Sequence, residues 1–393
     1  MGRSQVSCPC FFLFYDDSPV FGGHEVMALL GLEAVLADDS RPVLFMASAA
    51  NGKLCDKVAA LSVRYPHLTL ETVGYQSSKF ESFRNLLDPS RISTLAGRFS
   101  QLNPSLVVAI QGNIEHSSLA LLAARKAGIR STSYIPVPHS NAEMGARLGA
   151  LRDLFCTRLF MLPDSFVTIT DEMANLLKRR GATAPIHIVY NGVDTNRFRP
   201  GDPAAACGQL KLPMDKVRIG MIGRIEFRQK QQHLLAQAVA SDPELARSCH
   251  LVFAGDGPDI QKLRASIERH RLSGTILPWC DPALLYHALD ALVIPSRYEG
   301  LPLVMLEALA SGTAVLASDR DGMKDLLPSE WRFRPNSVTA LSLALARFHA
   351  QGRPKPGAGL VERVRGSMSL TSFSHSFSTV IRGLISLSGK KSI

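Results

Sequence analysis

Two glutamates eight residues apart are the side chains in this sequence whose spacing best fits ligand chemistry. Glu299 and Glu307 lie in VIPSRYEGLPLVMLEALASGTAV (293–315), around a Gly-Leu-Pro turn. A short apolar run before the turn and an apolar helical stripe after it place Glu299 in a strand-to-helix loop and Glu307 inside the helix, with Pro302 in its first turn. At about 1.5 Å of rise per residue, roughly 12 Å separates the two glutamates. That exceeds the about 5–9.5 Å between the carboxylates of a glycosidase and fits contacts at opposite ends of one long ligand.

Two cations accompany another predicted strand-to-helix turn. In GMIGRIEFRQKQQHLL (220–235), Gly223 forms the turn, and Arg224 and Lys230 flank the exit of the strand. A diphosphate bound there would meet two positive charges and the N–H groups of a helix N-terminus. Considered without their surroundings, the two cations fit a basic surface equally well.

Glycine-rich turns follow two further predicted strands. FAGDGPD (253–259) supplies Gly255 and Gly257 but lacks the third glycine of a dinucleotide fingerprint, which argues against a Rossmann dehydrogenase. FGGHE (21–25) opens a helix after the first strand. There, Gly22 and Gly23 let the backbone approach a ligand and present N–H groups to an anion.

Two histidines compete for a place in the site. His139, in YIPVPHSNAEMG, follows a predicted strand and two prolines that stiffen its loop. His116, in QGNIEHSS, follows the preceding strand. Considered alone, each is more often a packing or surface histidine than a catalytic one, so both stay open at this point.

These segments together resemble the large family 4 of glycosyltransferases, which are retaining enzymes with the GT-B fold and an E-x7-E signature. The resemblance is strongest from residue 186 to 325 and includes IVYNGVDTNRFRP (188–200), which is similar to the segment joining the two domains of the family. It implies two Rossmann-like α/β domains with parallel sheets facing across a cleft.

The resemblance also implies roles for individual residues. Glu299 would contact the donor sugar, and Glu307 would hold the ribose of the nucleotide. Arg224 and Lys230 would neutralise the leaving diphosphate. His139 would lie beside the donor sugar, and we favour it over His116, which we keep as the alternative. The other donor contacts would come from Gly22, Gly23, Gly223, Gly255, Gly257 and the turn Gly300-Leu301-Pro302-Leu303.

Two positions depart from the family pattern. Gln231 replaces the glycine that usually follows the lysine, and Asp321-Gly322 replaces a double glycine. The tripeptide Asp319-Arg320-Asp321 also matches the D-x-D metal motif of the other major glycosyltransferase fold. We predict a loop there instead, and expect neither a metal ion nor a cofactor beyond the donor nucleotide.

Alternating strand-like and helix-like segments in both halves of the chain predict parallel sheets. In the first half, strands are predicted at 11–15, 43–47, 106–110, 131–135, 166–169 and 186–189, and helices at 24–38, 90–102, 117–127, 147–161 and 171–180. In the second half, strands are predicted at 217–222, 250–254, 275–277, 291–294 and 313–317, and helices at 231–241, 258–270, 283–288, 302–311 and 336–349.

The composition of residues 191–214 is typical of a linker. We predict an N-terminal acceptor-side domain at 1–195 and a nucleotide-sugar domain at 196–370. A C-terminal helix at 371–393 is expected to return to the N-terminal domain.

Composition places the chain among globular proteins and does not select a ligand. The 393 residues are 46% apolar and carry a formal net charge of +10, and seven basic residues face one acidic residue after position 350. We interpret that region as a solvated basic tail, with contact to an anionic membrane as an option and no nucleic-acid motif. Without a signal peptide or a membrane span, the chain is expected in the cytoplasm, with the inner face of the membrane as an option. Its seven cysteines, Cys8 and Cys10 included, are predicted to be free thiols.

The predicted function is transfer of a sugar, with retention, from a UDP- or GDP-linked donor to a hydroxyl of a glycan, lipid-linked or small-molecule acceptor. Polysaccharide or lipid-linked glycan assembly is the commonest role that the resemblance implies. Two other classes stay open: a non-catalytic subunit that binds a sugar nucleotide, and a GT-B epimerase of sugar nucleotides.

Overall fold

Parallel sheets with helices between their strands make up both halves of the chain. The computed structural model describes residues 11–386, which divide into two units. The N-terminal unit extends to Tyr190 and resumes at Phe373, and the C-terminal unit is Asn191–Ser372. The sequence-based prediction put these divisions at 195/196 and 370/371.

Seven strands form the sheet of the N-terminal unit, in the order β3-β2-β1-β4-β5-β6-β7, and every pair of neighbours is parallel. The strands are β1 Phe12–Asp16, β2 Val43–Ser48, β3 Leu68–Val73, β4 Leu106–Ile110, β5 Ser131–Tyr134, β6 Ser165–Thr168 and β7 Ile186–Ile188. The helices are α1 Gly23–Asp38, α2 Gly52–Arg64, α3 Glu81–Leu87, α4 Pro89–Leu102, α5 Ser118–Ala127, α6 Gly149–Cys156 and α7 Asp171–Arg179. Among the inner strands, β1, β2 and β4 are nearly continuous apolar runs, as expected for strands that helices cover on both faces.

Six parallel strands form the sheet of the C-terminal unit, in the order β10-β9-β8-β11-β12-β13. The strands are β8 Val217–Ile222, β9 Cys249–Ala254, β10 Gly274–Leu277, β11 Ala291–Ile294, β12 Ala314–Ser318 and β13 Arg332–Phe333. The helices are α8 Pro203–Leu210, α9 Gln232–Ala240, α10 Pro243–Ser248, α11 Ile260–Arg269, α12 Pro282–Ala288, α13 Leu303–Ala310, α14 Asp321–Leu326, α15 Val338–Ala350, α16 Ala358–Ser367 and α17 Leu370–Ser386, the last of which continues into the N-terminal unit.

The strand order reverses between β1 and β4 in one sheet and between β8 and β11 in the other. In open parallel sheets, ligands bind beyond the carboxyl ends of the strands at such a switch point. Each unit therefore has one edge where a ligand site is expected, after Asp16 and Ile110 in the first and after Ile222 and Ile294 in the second.

Several predicted elements are corrected by the structure. The predicted linker at 191–214 contains α8, whose first turn starts with Pro203 and is capped by Asp202, which accepts from Ala204 N–H at 2.9 Å. The predicted helix at 147–161 is the shorter α6 followed by a 3-10 turn, Thr157–Met161. Pro302 is the N-cap of α13 and precedes its first turn. The D-x-D tripeptide is only partly a loop, because Asp321 opens α14.

The basic stretch after residue 350 is also corrected, because as far as residue 386 it forms α16 and α17, from which its basic side chains remain exposed. Within the N-terminal unit, the ring of Phe377 on α17 lies where a Cβ on Gly31 would be, with contacts as short as 2.6 Å. Ser378 Oγ donates to Asp38 at 2.7 Å. Only glycine at position 31 lets α17 approach α1 this closely.

Cys55, Cys156, Cys207, Cys249 and Cys280 are free, whereas Cys8 and Cys10 lie outside the described residues. Across residues 11–386, we find no helix with the length and apolar character that crossing a bilayer requires.

Candidate active site

Two glycine turns meet at the carboxyl edge of β8 and β9. A Cβ on Gly255 would lie 2.2 Å from the carbonyl oxygen of Gly223, and one on Gly257 would lie 2.2 Å from that of Ile225. Both Gly223 and Gly255 have positive φ, at 134° and 137°. Glycine is therefore required at 255 and 257 because the two turns are in direct backbone contact, and at 223 because of its positive φ. The three glycines predicted to contact the donor in this region, Gly223, Gly255 and Gly257, thus lie on one surface.

Lys230 and Glu299, predicted on separate loops, are paired in the structure. Lys230 Nζ lies 2.6 Å from Glu299 Oε1, and both side chains are largely buried. The two loops are also joined by their backbones, because Arg297 N–H donates to the carbonyl of Gln229 at 2.8 Å. Lys230 and Glu299, which is predicted to contact the sugar, are thus held together at the carboxyl edge of β8 and β11.

Asp321 holds the Glu299 loop in place, a role that the sequence analysis missed. Its Oδ2 accepts from the backbone N–H of Glu299 and from Arg320 Nε, each at 2.9 Å. Asp321 has φ of 52°, in the left-handed region that favours glycine. Asp321 therefore adopts a backbone conformation that glycine would adopt without strain, and its carboxylate holds the backbone of Glu299. Gly322 N–H in turn donates to the carbonyl of Gly300 at 3.0 Å.

Both aspartates of the D-x-D tripeptide are in ion pairs. Asp319 pairs with Arg332, and Asp321 with Arg320. The one sign of this role in the sequence is that Asp321 occupies a position where the family usually has glycine.

Glu307 is fixed by a second residue that the sequence analysis did not single out. Tyr286 Oη on α12 donates to Glu307 Oε2 on α13 at 2.7 Å. Burial raises the pKa of the Glu307 carboxyl, while the hydrogen bond from Tyr286 and the charge of Arg197 act in the opposite direction. Tyr286 itself is fully buried. The carboxyl of Glu307 is therefore oriented by Tyr286 through Oε2.

Arg224 differs from Lys230 in its surroundings. Its side chain is 67% exposed, and its Nε lies 3.6 Å from Glu226. The backbone is fixed nonetheless, because Gln232 Nε2 donates to the Arg224 carbonyl at 2.8 Å. The structure does not bring Arg224 into the Lys230–Glu299 pair, and its guanidinium faces solvent on the same loop.

The Gly22-Gly23 turn in the N-terminal unit lies beside a cluster of buried titratable groups. Gly22 N–H donates to Glu25 Oε2 at 2.7 Å, and His24 Nδ1 lies 3.0 Å from the same oxygen. Ser18 Oγ lies 3.5 Å from His24 Nε2 and 3.3 Å from His116 Nδ1. The cluster occupies the carboxyl edge of β1 and β4.

Burial controls the protonation of this cluster. It raises the pKa of Glu25 to about 7, and it lowers the pKa of His24 to about 3 and that of His116 to about 4. The pKa of Asp16 is raised by burial and by the charge of Glu25. The histidines are therefore neutral at pH 7, and a neutral imidazole can accept a hydrogen bond through one of its ring nitrogens.

The two candidate histidines lie in different surroundings. His116 belongs to the cluster beside Gly22 and Gly23, through Ser18 and His24. His139 is 1% exposed and lines a cavity of about 30 Å³ with Ile114, Cys156 and Arg180 among its neighbours. The structure thus groups His116 with the predicted glycine turn, and the choice of His139 remains a prediction.

Family models match both units of the chain. The model described as "Glycosyltransferase Family 4" matches residues 42–197, and the one described as "Glycosyl transferases group 1" matches residues 216–351. The chain belongs to glycosyltransferase family 4. The predicted family is thereby confirmed.

Curated relatives are similar to part of this chain. The D-inositol 3-phosphate glycosyltransferase of Nocardia farcinica is 36% identical over 165 residues, which cover 39% of this chain and 37% of the relative. The protein of the same name from Mycobacterium tuberculosis is 34% identical over 169 residues, 40% of this chain and 34% of the relative. The matched regions span little more than a third of these relatives.

Solved structures confirm the GT-B architecture of two Rossmann-like domains. Anabaena Alr3699/HepE, solved in complex with UDP, has a TM-score of 0.75 at 16% identity and covers 95% of this chain and 100% of its own. Sucrose-phosphate synthase from Thermosynechococcus elongatus has a TM-score of 0.73 at 19% identity, covering 96% of this chain and 100% of its own. At these identities the likeness concerns the fold.

Proposed function

We propose that this family 4 member is a retaining glycosyltransferase that moves a hexosyl group from a nucleotide-diphosphate sugar to an acceptor hydroxyl. The observation that carries the proposal is the paired geometry at the β8/β11 edge, where Lys230 meets Glu299 and Tyr286 orients Glu307. The pair of Lys230 and Glu299 suits the diphosphate and sugar end of such a donor. Glu307, on the adjoining helix, suits its ribose end.

In this proposal, each residue has a defined task. Glu307 accepts from the ribose hydroxyls through the oxygen that Tyr286 leaves available. Glu299, set by Asp321 and Lys230, orients the sugar. Lys230, Arg224 and the N–H groups at the start of α13 stabilise the negative charge that grows on the leaving diphosphate.

The reaction exchanges one bond to the anomeric carbon for another. The bond from that carbon to the diphosphate oxygen breaks, and the acceptor oxygen bonds from the same face, which retains the configuration. The acceptor proton passes to an oxygen of the leaving phosphate. This step needs no metal ion, and we propose that the enzyme uses none.

The N-terminal unit is proposed to serve the acceptor. Gly23, the first residue of α1, presents its backbone N–H at the β1/β4 edge, next to Gly22, whose own N–H donates to Glu25, and the neutral His116 lies close by. His139 is the alternative contact to the sugar. An acceptor that is a glycan, a lipid-linked glycan or a small polyol presents the hydroxyl groups that such a polar edge binds.

The donor nucleotide is proposed to be UDP or GDP. UDP is the first choice because HepE has been solved with UDP and with UDP-glucose. We further propose a cytoplasmic role in glycan or polysaccharide assembly, with peripheral contact to an anionic membrane and no nucleic-acid partner.

The experiment incubates the purified chain with UDP- and GDP-linked sugars and a panel of hydroxyl acceptors. Release of the nucleotide is measured, and the anomeric configuration of the product is read by NMR. The native chain and Glu268→Gln, a control at an exposed glutamate, should form an α-linked product from an α-linked donor, whereas Glu299→Gln should lose at least about a hundredfold in rate.

Each other outcome contradicts a stated part of the proposal. An inverted product overturns retention. Nucleotide binding with no transfer to any acceptor identifies the scaffold subunit, and interconversion of the donor sugar without an acceptor identifies an epimerase.

A further inference from the structure

Helices α3 and α6 of the N-terminal unit have their polar and apolar sides reversed. On α3, the buried residues are Glu81, Ser82 and Asn85, whereas Phe83, Leu86 and Leu87 are exposed. A surface helix of a globular protein normally buries its apolar stripe and exposes its polar one. This helix does the opposite.

The same reversal is found on α6. Arg152 is buried on the inner side, and Leu148, Leu151 and Leu154 follow each other at intervals of three residues on the outer side. Leu148 is the N-cap residue, and the other two lie within the helix. Their spacing places them on one face.

A buried ionic network explains how the polar sides can face inward. Arg91 lies 2.8 Å from Glu81, and Arg152 Nε donates to Glu115 Oε2 at 3.0 Å. Ser82 N–H donates to Glu115 Oε1 at 3.3 Å, which ties α3 to the same carboxylate. The buried charges are thus paired, and the fold has no need of the outer leucines for its core.

The two outer faces form one surface. Phe83 on α3 and Phe155 on α6 are in edge contact, with ring centroids 5.6 Å apart. We call Phe83, Leu86, Leu87, Leu148, Leu151 and Leu154 the α3–α6 surface; their exposed fractions range from 43% to 72%. Contiguous exposed apolar side chains of this kind mark interaction sites.

Basic side chains accompany this surface. Among residues 79–88 and 147–158, the exposed ionisable side chains are Lys79, Arg84, Arg147 and Arg158, against Asp88 alone as an acid. Arg84 also lies 3.6 Å from the inward-facing Glu81. Apolar side chains that enter the lipid boundary and cations that meet anionic headgroups are the two components of an interfacial membrane site.

We infer that the α3–α6 surface docks the chain on an anionic lipid bilayer. A second copy of the chain is a poorer occupant, because a two-fold contact would bring the same basic side chains face to face. The inference deepens the membrane contact included in the proposed function by naming its surface. Its test measures vesicle binding without sugar transfer, so either can fail while the other stands.

The experiment is flotation of the full chain with vesicles of phosphatidylcholine alone or mixed in equal parts with phosphatidylglycerol. The native chain should float with the mixed vesicles and lose binding as salt is raised. The variant Leu151→Asp/Leu154→Asp should bind at least about tenfold more weakly, because charge is excluded from the lipid boundary.

Matched controls lie in the C-terminal unit. Leu343→Asp changes a leucine that is 66% exposed and should bind as the native chain does. Arg84→Ser/Arg147→Ser should weaken binding by about fivefold for each charge removed, whereas Arg264→Ser/Arg269→Ser should have little effect. Unchanged melting temperatures of all variants would show that folding is preserved, as expected for exposed side chains.

Three results would overturn the inference. The first is that the native chain binds neither vesicle, or binds both equally. The second is that Leu151→Asp/Leu154→Asp binds as well as Leu343→Asp. The third is a native dimer that fails to bind vesicles and dissociates in the Leu151→Asp/Leu154→Asp variant, which would make the surface a self-association interface.

Discussion

Substitutions at Asp321 should separate its hydrogen bonds from its backbone conformation. Its carboxylate accepts from the backbone N–H of Glu299, which is 8% exposed, and its φ is 52°. A buried N–H that loses its acceptor costs about 1–3 kcal/mol. Placing a residue without glycine's freedom at positive φ costs roughly 1–2 kcal/mol, and asparagine tolerates this conformation better than alanine does.

Three variants follow from these magnitudes. Asp321→Asn keeps an acceptor oxygen and a tolerated φ, so it should lose no more than about 1 kcal/mol of stability. Asp321→Gly relaxes the backbone but loses the acceptor, and should lose about 1–3 kcal/mol. Asp321→Ala loses the acceptor and keeps the strain, and should lose about 2–4 kcal/mol.

Urea unfolding followed by tryptophan fluorescence reports on the C-terminal unit, which contains Asp321 and both tryptophans of the sequence, Trp279 and Trp331. The predicted order of stability is native, Asn, Gly, Ala. If Asp321→Ala were as stable as Asp321→Asn, the Asp321–Glu299 bond would not hold the loop, and the reasoning would be refuted.

The remaining predictions concern the N-terminal unit. Burial raises the pKa of Glu25 to about 7 from 4.5, so the folded state binds a proton that the unfolded state releases, and the contribution of Glu25 to stability falls as pH rises from about 4.5 to 7. Relative to Glu25→Gln, the native chain should lose about 1.4 kcal/mol of unfolding free energy per pH unit in that window. Hydrogen exchange of the β1 amides, corrected for the pH dependence of the intrinsic exchange rates, measures this difference. A difference between the two proteins that does not change with pH would contradict the raised pKa. Gly31→Ala should destabilise the unit by about 1–3 kcal/mol because a Cβ meets the Phe377 ring, whereas Gly97→Ala, in the open interior of α4, should stabilise it by about 0.5–1 kcal/mol. Equal effects of the two alanines on thermal unfolding would show that Phe377 does not restrict position 31.

Strands covered on both faces were predictable from the sequence. The predicted bounds of β4 and β8 match the structure because LVVAI and VRIGMI are nearly continuous apolar runs between turn residues. β3 was missed because LTLETV, an edge strand, mixes exposed and buried positions and carries a glutamate. α8 was missed because its alanine-rich segment follows prolines and glycine that are typical of a linker.

The residues of the candidate site were predictable only where they belong to a recognisable local sequence pattern. Glu299, Glu307 and Lys230 come from segments with recognisable spacing. The partners that fix them, Asp321 and Tyr286, lie on other elements, and their contacts arise from the order of the parallel strands. The cluster of Ser18, His24 and His116 likewise depends on β1 and β4 being neighbours, which no local pattern in the sequence states.

The central claim is that the β8/β11 edge binds a nucleoside diphosphate through Glu307 and the two cations. The most direct test is the thermal stability of the chain against UDP, GDP and ADP, for the native protein, Glu307→Ala, Arg224→Ala and the control Glu268→Ala. Ligand at one hundred times its dissociation constant should add about 2.7 kcal/mol to the free energy of unfolding. We predict a selective rise with UDP or GDP in the native and control proteins that is lost in the other two variants. An absence of response to every nucleotide, or a rise that Glu307→Ala and Arg224→Ala keep, would contradict the account.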